Sequence, residues 1–302
     1  MRKQVDDFIF TVCMLVAEIS SEMGVREGVA VYIVKVRKEV DTCKVPAEQK
    51  QKECCRVCLY FPHLNSGSPK DGCKISEKYN IFASMTRLII FDLDGTLLDT
   101  LGDLATACNY ALEMCGCPKR TVDEYRLLIG GGITKLFKGA LPPEMRTDEM
   151  VAKMRSYFLP YYREHICDLT RPYDGVEKML DKLSEQGMKF AIASNKFQSG
   201  TEELAQRLLG KYDFVKVLGQ REGCPTKPDP QIIREVMAQM PELTADEVVY
   251  CGDSDVDMIT AHNAGVRALG VCWGFRGREE LQANDPWLLV DTPSEITAEF
   301  IK

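Results

Sequence analysis

The sequence of 302 residues lacks the features that mark membrane, secreted and nucleic-acid-binding proteins. Its longest apolar run, Phe8 to Ala17, is too short to span a bilayer. Asp6 and Asp7 stand where a signal peptide needs positive charge. The formal net charge is −7, and residues 85–302 carry 25 basic and 34 acidic side chains, without a basic stripe. We therefore expect a cytoplasmic protein that binds neither membrane nor nucleic acid.

Residues 1–84 form a segment that differs from the rest of the chain. Apolar periodicity predicts one or two helices over 5–23 and 28–40, although VAVYIVKV in the second range equally fits a strand. After Asp41 the sequence becomes polar, cysteine-rich and turn-rich, which is typical of a linker. We predict an N-terminal extension over residues 1–84. Our hypothesis is that translation of the native chain starts at Met85, so that the extension is an appended segment.

Thirteen cysteines do not make a disulfide framework here, because a cytosolic chain of this size keeps its thiols reduced. Five side chains of the extension have the chemistry of zinc ligands: Cys54, Cys55, Cys58, His63 and Cys73. A second well-spaced CxxC pair is missing, so loose reduced thiols are the alternative interpretation.

The strongest signal is the stretch RLIIFDLDGTLLDT, residues 87–100. Its apolar run, Leu88 to Phe91, predicts a strand that is buried on both faces. Asp92 and Asp94 follow, and a carboxylate at the carboxyl end of a parallel strand points into the crevice that binds ligands. Two such carboxylates together favour a divalent cation, with Mg²⁺ as the natural partner of oxygen ligands. Taken alone, the motif also fits an ordinary turn.

A block of helices follows without an intervening strand. Helical spacing predicts a helix from Leu101 to Cys115, and then helices in VDEYRLLI, ITKLFKGAL and TDEMVAKMRSYFLPYYREHI. Such a block between two strands predicts a small helical cap, residues 103–169, over the edge of the sheet. The run Gly130–Gly132 either cradles an anion through its backbone N–H groups or forms a hinge or tight turn.

Polar side chains also follow the later strands. The strand KFAIAS, residues 189–194, ends in Ser194, whose hydroxyl can donate to a phosphate oxygen or cap the next helix. Lys227 lies between turn-forming residues and is either a point charge for a phosphoryl group or a solvated surface charge. Asp253 and Asp257 are one helical turn apart after the strand VVYC and suit a hard cation.

The alternation of strands and helices predicts an α/β fold with a doubly wound, Rossmann-like parallel sheet over residues 85–102 and 170–302. Parallel strands bring their carboxyl ends to one edge of the sheet, so all of these polar groups can meet in one cleft.

The ordered set resembles the haloacid dehalogenase (HAD) superfamily over residues 86–302. FDLDGTLLDT resembles the first motif, IASN the second, Lys227 in TKPDP the third, and GDSDVD with the following AxxAG the fourth. The helical insertion is similar to a C1-type cap. SNK at 194–196 and VCWGFRGREEL at 271–281 resemble the phosphoglycolate phosphatase-like branch.

The resemblance implies a Mg²⁺-dependent hydrolase of phosphomonoesters, with 2-phosphoglycolate or a similar small ester as its substrate. It makes Asp92 the nucleophile, which forms an aspartyl-phosphate. It makes Asp94 the acid that protonates the leaving oxygen and the base that then activates water. Ser194 and Lys227 would hold the oxygens of the transferring phosphoryl group.

The resemblance also implies the metal ligands: Asp92, Asp94 through its backbone carbonyl, Asp253 and Asp257. Thr96 is expected to orient Asp94 or its loop at the substrate site, where Asn195 and Gly131 are further binding candidates. In the cap, Arg126 and Lys135 are candidates for reading the substrate, with surface ion pairing as the alternative.

Other functions fit the same motifs. They include a phosphatase for sugar phosphates, nucleotides or pyrophosphate, a phosphomutase, and a phosphonatase with a cap lysine that forms a Schiff base. A non-catalytic regulator that uses residues 1–84 to bind a partner is an alternative of another class, although the four intact motifs argue against it. The sequence leaves open whether the chain is a monomer or a homodimer.

Overall fold

The structure, a computed structural model, describes residues 86–297. The predictions for the N-terminal extension lie outside the described residues. They are the helices over 5–23 and 28–40, the zinc cluster and the start at Met85.

Eight strands occur in the described part of the chain, six of them in one parallel sheet with the order β5-β4-β1-β6-β7-β8. The strands are β1 (Leu88–Phe91), β2 (Leu98–Asp99), β3 (Arg171–Pro172), β4 (Lys189–Phe197), β5 (Phe214–Gln220), β6 (Val248–Gly252), β7 (Arg267–Val271) and β8 (Leu288–Val290). Strand β1 is central, and the chain winds away from it in opposite directions on its two sides. A ligand crevice forms at such a reversal, beyond the carboxyl ends of the strands.

Nine α-helices connect these strands within residues 86–297. They are α1 (Leu101–Met114), α2 (Val122–Arg126), α3 (Ile133–Ala140), α4 (Asp148–Glu164), α5 (Val176–Glu185), α6 (Gln198–Leu209), α7 (Gln231–Met237), α8 (Asp255–Ala264) and α9 (Arg278–Gln282). Short 3-10 turns lie at Pro143–Met145, Ala245–Glu247 and Pro293–Glu295.

Strand β1 is fully buried, as its unbroken apolar run predicts. Ile89 and Phe91 pack into the hydrophobic cluster on one face of the sheet, and Leu88 and Ile90 pack into the cluster on the other face. Each such side chain contributes about 1.5–3 kcal/mol when it is fully buried. The strand that carries the first motif is therefore held from both sides.

Helices α1 to α4 form an insertion between β1 and β4. Phe137 of α3 meets Phe158 of α4 edge to face, with ring centroids 5.2 Å apart, and Tyr110 of α1 stacks on Tyr161 of α4 at 4.3 Å. Aromatic pairs of this kind hold helices together in a small domain. The predicted fold class, a doubly wound parallel sheet with a helical insertion after its first strand, is confirmed.

The chain leaves the sheet for this insertion and returns to it at one place. Strands β2 and β3 pair antiparallel there, with Leu98 opposite Pro172. The buried Asp103 carboxylate accepts hydrogen bonds from the backbone N–H of Leu169 (3.0 Å) and from both the N–H (2.8 Å) and the hydroxyl (2.7 Å) of Thr170. Asp103 therefore ties the outgoing and returning segments together.

Two further observations concern the described residues as a set. Between residues 86 and 297, no helix combines the length and the apolar character needed to cross a membrane. The cysteines of this part of the chain are free thiols: Cys108, Cys115, Cys117, Cys167, Cys224, Cys251 and Cys272.

Candidate active site

The carboxyl ends of three neighbouring strands bring the first, second and fourth motifs together. Asp92 follows β1, Ser194 lies in β4, and Asp253 follows β6. Strand β4 continues to Phe197, beyond the predicted end at Ser194, because Phe197 pairs with Gln220 of β5 after an irregularity in the register. Ser194 therefore lies within the strand, where its hydroxyl accepts from the backbone N–H of Lys196 at 3.3 Å and, by its closeness to Asp92, partly offsets the rise that burial causes in the pKa of that carboxyl.

Three buried carboxylates form the centre of the site. Asp92, Asp253 and Asp257 each place an oxygen within 4.8 Å of the others. Burial, opposed in part by Lys227, raises the pKa of Asp92 to about 6. Burial together with repulsion from Asp257 and Asp92 raises the pKa of Asp253 to about 8. The carboxylates are thus crowded beyond what one ammonium group offsets.

Lys227 is the cation inside this cluster and is 1% exposed. Its Nζ lies 3.0 Å from Asp92 Oδ2 and 2.7 Å from Asp257 Oδ1, and it donates to the Tyr250 hydroxyl at 2.8 Å. Burial alone lowers the pKa of Lys227, but the carboxylates of Asp257 and Asp92 outweigh it and raise the pKa above its ordinary value. Lys227 is therefore not a solvated surface charge.

Asp257 supports the cluster from behind. Its Oδ1 accepts from Lys227 and Tyr250, and its Oδ2 accepts from the backbone N–H (3.1 Å) and hydroxyl (2.6 Å) of Ser254. Both carboxylate oxygens of Asp257 thus accept two hydrogen bonds each within the protein. Each oxygen of Asp253 accepts only one, from the Thr96 hydroxyl and from the Phe275 N–H.

The Thr96 hydroxyl, which is expected to orient Asp94 or its loop, is fully buried and donates to Asp253 Oδ1 at 3.0 Å rather than to Asp94. The backbone explains the difference, because Gly95 has a φ of +85° and turns Thr96 towards the fourth motif. A Cβ at Gly95 would overlap the Asp253 carboxylate, so the turn needs glycine on two grounds. Phe275 N–H, at 2.8 Å, holds the other oxygen of Asp253.

Asp94 is paired with a residue to which the sequence analysis assigned no role. The buried ammonium of Lys196 lies 3.1 Å from Asp94 Oδ1 and 3.3 Å from Oδ2. The same ammonium donates to the hydroxyl of Tyr162, on helix α4 of the insertion, at 2.8 Å. The triplet SNK contained this lysine, but nothing in the sequence indicated a partner 102 residues earlier.

Asn195 joins the insertion to the loop of Lys227. Its amide donates to the carbonyls of Gly130 (3.0 Å) and Lys227 (3.3 Å), and its oxygen accepts from the Lys227 N–H (2.8 Å). Asn195 therefore holds two loops in place, and it also lines the cavity described below, where substrate binding by it stays a prediction.

The glycine run contributes to the site through its outer members. Gly130 and Gly132 line the cavity described next, and both have positive φ angles. Gly131, the predicted contact, is not among the lining residues, because it packs against the side chain of Lys135. Substrate binding by Gly131 stays a prediction, and Gly130 and Gly132 are the members of the run that line the cavity.

One cavity of about 40 Å³ lies between the sheet edge and the insertion. Asp92, Asp94 and Ser194 line it from the sheet. Its apolar wall is formed mainly by the insertion: Leu104, Ile129, Ile133, Leu136 and Phe158. The cap candidates Arg126 and Lys135 are exposed and lie outside this lining.

The chemistry of the carboxylate cluster fits a hard divalent cation. Three buried carboxylates, two of them with raised pKa values, gain ionisation and lose repulsion when a dication binds. The side chain of Asp94 stands apart from the cluster because it faces Lys196. The residues Asp92, Asp253 and Asp257 can thus bind a divalent metal.

Comparison with known proteins identifies the family. Residues 89–271 match the family of haloacid dehalogenase-like hydrolases. The chain is 33% identical over 216 residues to a phosphoglycolate phosphatase of Vibrio parahaemolyticus, which covers 70% of this chain and 94% of that protein. It is 30% identical over 215 residues to a phosphoglycolate phosphatase of Mannheimia succiniciproducens, with 69% and 96% covered.

A solved structure shares the fold. It is that of a predicted phosphoglycolate phosphatase from Haemophilus somnus, which superposes with a TM-score of 0.63 at 26% identity and covers 70% of this chain and 96% of that one. The strand-end carboxylates, the helical insertion and the sheet order agree with this likeness. The chain therefore belongs to the haloacid dehalogenase-like hydrolases and is a phosphatase, as the resemblance of its four motifs predicts.

Proposed function

We propose that this phosphatase hydrolyses 2-phosphoglycolate, or a phosphate monoester of similar size, with Mg²⁺ as its cofactor and through an aspartyl-phosphate on Asp92. The observation that carries the proposal is the shared cavity of Asp92 and Asp94. A nucleophile and an acid lie at one edge of the sheet there, with the metal-binding carboxylates directly behind.

Asp92 attacks the phosphorus atom and forms a P–O bond, while the bond from phosphorus to the ester oxygen breaks. Asp94 gives its proton to the departing ester oxygen. In the second half of the reaction Asp94 takes a proton from water, and the resulting hydroxide attacks phosphorus. The Asp92–phosphorus bond then breaks and inorganic phosphate leaves.

Lys227 and Ser194 act on the phosphoryl group by position and charge. Lys227 contacts Asp92 directly, and Ser194 lines the cavity beside Asp92, so both lie where the phosphoryl oxygens would arrive. Preorganised donors of this kind stabilise the transition state without reorganising during the reaction. Asp92, Asp253 and Asp257, with the backbone carbonyl of Asp94, would hold Mg²⁺, and Asp257 also orients Lys227 and the loop. Bound there, the ion would draw negative charge from the phosphoryl oxygens.

The lining of the cavity favours a small ester. Apolar side chains of the insertion lie close to Asp92 and Asp94 and leave little polar surface for a sugar or a nucleoside. The similarity to phosphoglycolate phosphatases supports 2-phosphoglycolate within that size class. Location in the cytoplasm, a lack of nucleic-acid partners and the choice between monomer and homodimer stay predictions.

The test is phosphate release by the full chain from a panel of esters, with Mg²⁺ and with EDTA. The panel contains 2-phosphoglycolate, a hexose phosphate, a nucleoside monophosphate and pyrophosphate. We expect selective, Mg²⁺-dependent turnover of 2-phosphoglycolate, and a loss of at least about a thousandfold in the Asp92→Asn variant. As a matched control, Asp213→Asn removes an exposed carboxylate after α6 and should keep full activity.

Other outcomes identify other functions. Broad turnover of the panel would replace the glycolate ester with a general small-molecule phosphatase. Isomerisation of a hexose phosphate without phosphate release would identify a phosphomutase. Full activity of Asp92→Asn would refute the nucleophile, and Mg²⁺ binding without any turnover would favour a regulator.

A further inference from the structure

Lys196 lies in the reaction cavity but has no part in the phosphoryl chemistry proposed above. Its side chain is 6% exposed and its ammonium faces the space shared with Asp92 and Asp94. The backbone places it there, because β4 continues through Lys196 and the side chain leaves the strand on the buried side. A buried lysine needs anionic or hydrogen-bonding groups around its ammonium. Besides the Asp94 carboxylate, it can contact an anionic group of a bound ligand.

The lining of the cavity makes this ammonium distinctive. Among the described residues that line it, Lys196 is the only one with a positive charge. Asp92 and Ser194 mark the end where the phosphoryl group binds, and Ile133, Leu136 and Phe158 form the opposite wall. Beyond Asp92 and Ser194 the described lining is mainly apolar, and Lys196 is its one cationic group beside the Asp94 carboxylate and Asn195.

The ammonium of Lys196 can share its donors with a second carboxylate. It carries three N–H groups. One donates to the Tyr162 hydroxyl at 2.8 Å, and two contacts go to the same carboxylate, 3.1 Å and 3.3 Å from the oxygens of Asp94. A carboxylate that enters the cavity can replace the longer of the two Asp94 contacts, and a buried carboxylate has a large desolvation cost unless it finds such a donor.

The insertion fixes where the ammonium points. Tyr162 accepts its hydrogen bond at 2.8 Å, and the Nζ atom lies 4.7 Å from the centre of the Tyr162 ring. That ring stacks on Phe158, a residue of the cavity wall, with centroids 5.1 Å apart. The position of Lys196 is thus set jointly by the sheet and by helix α4, so the insertion takes part in recognition without supplying a charge itself.

We infer that Lys196 determines specificity by binding a carboxylate on the leaving group of the ester. The inference rests on the proposed function, since it requires a phosphoryl group bound at Asp92. A charge-assisted hydrogen bond of this kind favours the carboxylate ester over a neutral one of the same shape by about 10- to 100-fold. Tyr162 acts through Lys196 as a positioning residue.

The experiment compares 2-phosphoglycolate with its amide, phosphoglycolamide, which keeps the shape and removes the charge. The measured quantity is the ratio of kcat/KM for the acid to kcat/KM for the amide, in the full chain with Mg²⁺. We expect a ratio of about 10 to 100 for the unmodified protein. In Lys196→Met we expect the ratio to fall to about 1, with the KM for the acid rising towards that for the amide. Lys189→Met, which removes an exposed lysine at the start of the same strand, should keep the original ratio.

Two results would overturn the inference while leaving the proposed function intact. One is equal kcat/KM for acid and amide in the unmodified protein, a result that needs no variant and so stands even if Lys196→Met unfolds. The other is an equal loss for both esters in a Lys196→Met protein with an unchanged melting temperature, which would assign Lys196 to holding Asp94 alone. Absence of turnover with either ester in the unmodified protein would overturn the proposed function and the inference together.

Discussion

The crowded carboxylates predict an unusual pH dependence of stability in the metal-free protein. The pKa of Asp253 is raised from an ordinary value of 3.8 to about 8, and that of Asp92 to about 6. A raised pKa means that the folded state binds protons more tightly than the unfolded state does. The stability gained from these two protons is therefore complete below about pH 4 and is lost as the pH rises through the folded pKa values.

The magnitude follows from linkage. Between about pH 6 and about pH 8, Asp253 goes from almost fully protonated to about half protonated, which costs about 2 kcal/mol of unfolding free energy, and the deprotonation of Asp92 adds a smaller loss. For a folded region of this size, that loss corresponds to a fall of about 4–8 °C in melting temperature. A bound dication relieves the repulsion, so Mg²⁺ should restore more stability at pH 8 than at pH 6.

The assay is thermal unfolding followed by circular dichroism across this pH range, in EDTA and in excess Mg²⁺. Asp253→Asn removes the principal titrating group, and we expect it to flatten the pH slope in EDTA and to weaken the response to Mg²⁺. Asp213→Asn, at an exposed position, should leave the slope unchanged. A melting temperature in EDTA that is constant or rises from pH 6 to pH 8 would refute the reasoning.

Three further predictions concern single residues. Asp94→Asn should lower the turnover of an alkyl phosphate by about 10²- to 10⁴-fold. It should slow the hydrolysis of p-nitrophenyl phosphate much less, because the nitrophenolate leaving group needs no proton. Equal losses for the two esters would count against an acid role of Asp94. Gly95→Ala and Gly116→Ala both place alanine at positive φ, and each should cost about 1–2 kcal/mol of stability. Only Gly95→Ala should also abolish activity, because its Cβ would overlap Asp253. An active Gly95→Ala protein would contradict this. Asp103→Ala should lower the urea-unfolding free energy by about 1–3 kcal/mol because it leaves buried donors unpaired, and an unchanged midpoint would show that those donors find other partners.

The features that could be predicted from the sequence are those set by nearby residues. The run Leu88 to Phe91 is apolar at every position, which in a short segment indicates a strand covered on both faces. Because parallel strands end at one edge of the sheet, the positions of Asp92 and Asp253 followed from the strands that precede them. The predicted approach of these groups is what the structure shows.

The features that could not be predicted depend on side-chain direction and distant contacts. The role of Lys196 depends on its contacts with Asp94 and with Tyr162 of helix α4. Both residues are far from Lys196 in the sequence, so no motif or spacing connects them to it. The partner of Thr96 depends on the positive φ of Gly95, which swings the next side chain across the turn. Spacing alone gives no signal for either.

The pairing of Leu98 with Pro172 has a consequence for how such proteins diversify. Directly opposed residues of an antiparallel pair have Cα atoms about 5 Å apart. The insertion is therefore attached through two adjacent chain segments, β2 and β3, and a short turn could connect them in its place. Its length and sequence can therefore change without altering the register of the sheet or the placement of Asp92. Changes in the insertion can therefore alter the apolar wall of the cavity while Asp92, Asp94 and Lys196 keep their places at the edge of the sheet. An exchange of residues 100–170 with those of a relative tests whether preference travels with the transplanted segment.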